Sequence, residues 1–170
     1  MADFINATIE RHEFDKLIEI MKDRAVHLKP IMAVTGNMVV KSVRQNFRDG
    51  GRPEKWTKSK KPKGTTLVGT GALMRSIHYE LDSDGNAVTV MTGPQKYAAI
   101  HQFGGTTSAH TIMAKNRKAL QFNVGGVTIY RKKVNHPGSN IPARPYMLLQ
   151  DEDIENIKTE MLEYLKEPVK

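Results

Sequence analysis

The chain has 170 residues, of which 39% are hydrophobic, and its 26 Lys and Arg outweigh 18 Asp and Glu for a net charge of +8. It has no cysteine, which excludes disulfides, thiolate chemistry and Cys-ligated zinc. No apolar run approaches the roughly 20 residues of a membrane span. The first residues lack a basic region followed by an apolar stretch, so the reading is synthesis inside the cell without a secretion signal. One domain spanning 1–170 is expected, since this length supports a real core. The apolar fraction is a little low for a compact globule, which points to polar loops or to surface covered only in an assembly.

In chain order, residues 4–9 are short and β-branched and read as an edge strand. Phe14, Leu17, Ile18, Met21, Ala25 and Leu28 then recur at helical spacing. Pro30 ends that helix and suits the first turn of the next. Ile31, Val34, Met38, Val39, Val43 and Phe47 form a second stripe, closed by Gly50-Gly51. The short connection predicts either two helices folded back on one another or one bent helix. Residues 48–66 read as a long, flexible, basic loop. Thr70 is placed to cap a short helical turn through Leu73-Met74.

Two hairpins follow. Asp84-Gly85 predicts a two-residue type I′ turn that pairs Leu81 with Val88 and Tyr79 with Val90. Gly125-Gly126 does the same for Val124 with Val127 and Phe122 with Ile129. In each, apolar residues meet apolar residues, and a one-residue slip would reverse the faces. Between them, residues 96–103 read as a short helix or turn ended by Gly104-Gly105, and 106–117 as an exposed polar loop. Residues 135–140 carry turn chemistry, and Pro142 and Pro145 exclude a helix interior. Asp151 is expected to cap a final helix over about 151–166, with Ile154, Ile157, Met161 and Leu165 as its narrow stripe. The fold class is therefore α+β: an N-terminal helical pair, a small antiparallel sheet built from two hairpins, and a C-terminal helix.

Charge is unevenly spread. Residues 41–63 hold nine Lys or Arg against Asp49 and Glu54, and residues 86–150 hold eight basic residues and no acid. The last twenty residues reverse this, with seven acids against three lysines. The pattern fits nucleic-acid contact, complementary faces on neighbouring subunits, or a solvated basic loop.

Enzyme signatures are weak. Gly69-Thr70-Gly71 starts like a dinucleotide loop, but Met74 stands where the last glycine is required. No Gly-Lys-Ser or Gly-Lys-Thr occurs, and the six histidines form no i, i+4 pair. No metal, cofactor or catalytic residue is assigned. His101 and Gln102 are read as bonding nearby backbone, beside buried Tyr97, Ile100 and Phe103. Arg144, stiffened by Pro142 and Pro145 on either side, is read as half of a buried or inter-subunit ion pair. Trp56, among Lys58, Lys60, Lys61 and Lys63, is read as an assembly anchor; the alternative is stacking of a single-stranded base.

Four ordered blocks carry a resemblance: Asn46 to Trp56, Thr70 to Ile77, Tyr97 to Gly105, and Ile141 to Tyr146. Within them Gly51, Pro53, Trp56, Thr70, Gly71, Leu73, Ser76, Ile77, Tyr97, Ala98, His101, Gln102, Phe103, Gly104, Pro142, Ala143, Arg144 and Pro145 resemble the phage virion morphogenesis family. The resemblance implies a small α+β protein acting late in virion assembly, in tail completion (as a tail terminator) or head–tail joining. It further implies a ring of identical subunits, located in the tail or neck of the virion after synthesis in the host cytoplasm. Tail tube and head connector proteins would be its partners, with no reaction and no cofactor. The alternative is a nucleic-acid-binding accessory protein that contacts DNA through the Lys-rich loop 55–63.

Overall fold

A computed structural model describes residues 11–59, 65–115 and 118–168. The strand expected at 4–9 lies outside these. The helices are α1 (Arg11–Val26), α2 (Lys29–Asp49), α3 (Ala72–Arg75), α4 (Ala98–Phe103) and α5 (Asp151–Lys166). The strands are β1 (His78–Leu81), β2 (Val88–Met91), β3 (Gly105–Thr107), β4 (His110–Met113), β5 (Leu120–Val124), β6 (Val127–Arg131), β7 (Lys133–His136) and β8 (Ser139–Ile141). Helices at both ends and antiparallel strand pairs make the protein α+β, as the patterning predicts. The chain divides into two compact units: residues up to Gln95 together with those from Tyr146 onward, and Lys96–Pro145.

The first unit is organised by α2. Pro30 occupies its first turn, where a missing N–H costs nothing. Gly50 ends it in the left-handed region, and the Gly50 and Gly51 amides return to Phe47 O and Asn46 O at 3.3 and 2.8 Å. The buried face holds Ile31, Val40, Val43 and Phe47, with Thr35, Gly36, Ser42 and Asn46 between them. It is turned from the stripe expected, for Val34 is exposed. The turn is set by Gly36. A Cβ there would lie 2.5 Å from the Tyr79 ring and 2.9 Å from Val88, so the missing side chain lets the β1–β2 hairpin close on the helix.

That hairpin has the predicted register, Tyr79 opposite Val90 and Leu81 opposite Val88. Its turn differs. Asp84 does not take positive φ; only Gly85 does, at 74°. The Asp82 carboxylate instead accepts the amides of Asn86 and Ala87 at 2.7 and 3.1 Å, so an aspartate-built turn replaces the type I′ turn. Both α1 and α2 pack along α5, which is the main shared partner of the helical pair. At the ends of α1 and α5, Arg24 donates to Glu167 O and Pro168 O at 2.7 Å each and lies 4.6 Å from the Tyr164 ring centre. The Tyr164 hydroxyl donates to His27 O.

The second unit is a two-stranded ribbon on a short helix. β3 pairs with β8 and β4 with β7 in one unbroken register: Thr107 faces Ser139, and three residues further along each strand His110 faces His136. Beyond Met113 opposite Lys133 the register breaks, where Ala114 N donates to Lys132 O at 3.4 Å. Pairing then resumes at Leu120 opposite Arg131 and runs to Val124 opposite Val127. Gly125 and Gly126 turn the tip with φ of 58° and 85°, as the glycine pair predicts. The polar loop expected at 106–117 and the turn at 135–140 are thus largely strands. Both faces of this stretch are mostly solvated, so no apolar alternation marks them.

Candidate functional site

The four ordered blocks fold into two separate constructions, one in each unit. In the first, Phe47 is fully buried and meets Trp56 edge-on, with ring centres 5.6 Å apart at 82°, and Tyr146 at 5.1 Å. Leu73 and Ile77 complete this core. Asn46, also fully buried, donates from Nδ2 to Tyr146 O (2.8 Å) and Leu148 O (2.7 Å) and accepts from Arg52 Nε at 2.7 Å. Gly51 is required here: a Cβ would lie 2.4 Å from Glu54 O and 2.7 Å from Trp56 N, at a φ of 112°.

Trp56 is therefore spent inside its own chain, at 8% exposure, and is not the exposed anchor expected. That burial also removes it as a platform for a stacked base. Lys55 donates to Asp49 O at 2.7 Å, satisfying a carbonyl at the end of α2. Lys58 is exposed, while Lys60, Lys61 and Lys63 lie outside the described residues.

A polar lock that sequence reading missed joins the start of α5 to α2. Asp153 accepts from the Ser42 hydroxyl and from Gln150 N (2.9 Å), and lies 3.5 Å from Arg52 Nη2. The same Arg52 nitrogen donates to Ser42 O and Oγ at 2.9 and 2.8 Å. Gln150, not Asp151, is the N-cap of α5, because the residue three positions inside the helix must reach back to it. Ser42 and Asn46 were the available signal: two polar residues on an otherwise apolar helix face need partners. The serine donates to a carboxylate and accepts from a guanidinium, with no imidazole among its described partners, an arrangement that holds the two helices together. A cavity of about 230 Å³ opens beside it, lined by Met38, Lys41, Asn156 and Ile157 among others. Thr70 Oγ1 accepts the Ala72 amide at 3.3 Å as expected, and Gly71 takes a left-handed φ of 71° before α3.

The second construction brings the Tyr97 to Gly105 block against residues Ile141 to Pro145. Arg144 N donates to His101 O at 2.8 Å, Gly105 pairs with Ile141, and a Cβ on Gly104 would lie 2.8 Å from Ala143 N. Gly104, at φ 73°, is thus a contact point between α4 and the Pro142–Pro145 segment. The side chains around it depart from expectation. Ala98 is the buried residue of α4, while Tyr97 and Phe103 are exposed, Phe103 at 78%. The His101 Nδ1 is buried with no hydrogen-bond partner among the described residues, and the ring meets Tyr97 at 5.9 Å. Burial, and then the charge of Arg144, hold its pKa below the ordinary imidazole value. Arg144 itself is buried, and since residues 86–150 contain no acid, any carboxylate paired with it comes from outside that segment.

Every one of the eight basic residues in 86–150 falls within the second unit. That unit therefore carries the whole net charge of +8, and the rest of the chain balances at 18 of each sign. Lys115, Lys118, Arg131, Lys132 and Lys133 gather at the register break. A recess of about 530 Å³ there is lined by Lys115, Lys118, Leu120 and Tyr130 among others. Among the described residues, no group of three or more His, Cys, Asp or Glu is placed to hold a metal, and no helix is long and apolar enough to cross a membrane.

The ordered blocks thus form two packed constructions, one in each unit, and the second unit also carries a basic ribbon. Residues 9–166 match the phage virion morphogenesis family, and the chain belongs to it. Among individual proteins it is similar to the Mu-like prophage FluMu G protein 2 of Haemophilus influenzae, 32% identical over 154 residues that cover 91% of this chain and 90% of that one. No solved structure matches. The protein accordingly has a structural or assembly role in the making of phage particles.

Proposed function

We propose that the protein completes the phage tail or joins tail to head, as a ring of identical subunits in contact with tail tube or head connector proteins. One observation carries the reading beyond the family: a long two-stranded ribbon over 105–141 with no acid, six basic residues and exposed apolar side chains, which has little use on an isolated monomer. Ring subunits need two different patches that meet around a closed rotation. Imaging of particles made without this protein tests the role. Free tails beside DNA-filled heads are expected; normal virions would refute it.

The basic ribbon also keeps a second reading open, contact with nucleic acid at the phosphates. It predicts affinity that falls steeply with salt and is lost when the Lys58, Lys60, Lys61 and Lys63 positions or the ribbon's Lys and Arg are changed to Glu. No binding at low salt would end it.

A further inference from the structure

The distal part of the ribbon has one apolar face. Alternation along β5 and β6 puts Leu120, Phe122 and Val124 on the same side as Val127 and Ile129. A two-stranded hairpin is marginal in water unless another layer covers such a face. Here β5 and β6 make their extensive contacts with each other, and Val124 and Val127 remain 55% and 65% exposed. Arg131 stands at the inner end of this same face, followed by Lys132 and Lys133.

The chain also contains a surface of matching chemistry. α5 buries no residue completely. Ile154 and Leu162, eight positions apart, lie on one side of it and are exposed, with Asp151 and Glu155 on the same side. Apolar residues flanked by acids face outward there, and on the ribbon apolar residues are flanked by bases.

We infer that the apolar face of the 120–131 ribbon of one copy seats on the Ile154–Leu162 side of α5 in the next copy, with the Arg131 end set against Asp151 and Glu155. The inference rests on the ring reading and names its contact. A nucleic-acid partner fits less well, because phosphate-binding surfaces are built from polar and basic side chains and this face is apolar over five positions. The contact is heterologous, ribbon to helix, as closure into a ring demands. Glu155 already holds Lys158 at 2.7 Å on an exposed surface, a pair weak enough to be shared with an incoming guanidinium.

The cysteine-free sequence permits a direct test. Full-length V127C and L162C proteins are prepared separately, mixed and oxidised at high micromolar concentration. A disulfide joining the two different variants is expected, with neither variant alone cross-linking to comparable yield. In parallel, R131E should weaken self-association by about tenfold or more, and E155R in the same chain should recover much of it. Multimers that form without the mixed disulfide and ignore both charge changes would overturn this contact and leave the ring intact. A chain that stays monomeric under all these conditions would overturn the ring as well. Loss of salt-sensitive duplex binding in R131E, with no mixed disulfide, would assign the face to nucleic acid and also refute the inference.

Discussion

Asn46 shows how much a single side chain settles in this protein. It fixes the chain at Tyr146 and Leu148 with two donated hydrogen bonds while its oxygen holds Arg52. Replacing it by Ala strands buried carbonyls and a guanidinium nitrogen, so Asn46→Ala should lose about 2–4 kcal/mol, read from chemical denaturation. His101 makes a pH-dependent contribution. Its folded pKa is lowered, so the unfolded chain binds the proton more readily. The stability it supplies is full above about pH 6.5 and is lost as pH falls through the lowered folded value. Melting temperature should therefore drop between pH 7 and pH 5 by more in the native chain than in a His101→Gln variant. An NMR titration should place the His101 midpoint below those of the exposed histidines.

At the level of elements, legibility tracked burial on one face. The hairpin registers at 78–91 and 120–131 were readable because each sets apolar residues opposite apolar residues. The strands at 105–113 and 133–141 were not, since Thr106, Thr107, Thr111 and Asn135 carry no alternation and the paired backbone alone makes the ladder. α2 was found, but its buried face was misjudged at Val34 because Gly36, which lets the hairpin approach, leaves no hydrophobic signal. The two-unit division is marked only loosely in composition: the acid-free stretch 86–150 brackets Lys96–Pro145 without locating its ends. In the candidate sites, the contact between the Gly104 and Arg144 segments has no signal in the sequence beyond their place among the ordered blocks. Trp56 was misplaced because lysines around an indole look the same whether the ring points outward or inward. Glycines give an element-scale test. Gly138→Ala puts a Cβ 2.1 Å from Thr107 O at a φ of 93°, and should destabilise by about 2 kcal/mol or more. Gly125→Asn, where nothing lies within 4 Å and asparagine tolerates positive φ, should change the melting temperature little.

For the whole molecule, the segregation of charge has kinetic meaning. An acid-free unit that carries all of the +8, in a chain whose remaining charges balance, gives each copy an uneven field. Light-scattering traces of assembly should slow as salt rises from about 50 to 300 mM, even if the final plateau is unchanged, because screening acts on encounter more than on a closed apolar contact. A plateau that falls in step with the rate would show that charge, not apolar burial, holds the product.

The same asymmetry bears on the order of events during particle construction. A subunit drifting toward a growing complex is turned by long-range forces before any surfaces touch, so fewer collisions are wasted in wrong orientations. In the proposed ring, each newcomer would cover acids on its neighbour and present fresh ones on its own terminal helix, so attraction would be renewed at every step. Closure of such a ring would leave no uncovered terminal helix to draw in a further copy, while every member keeps its net charge of +8.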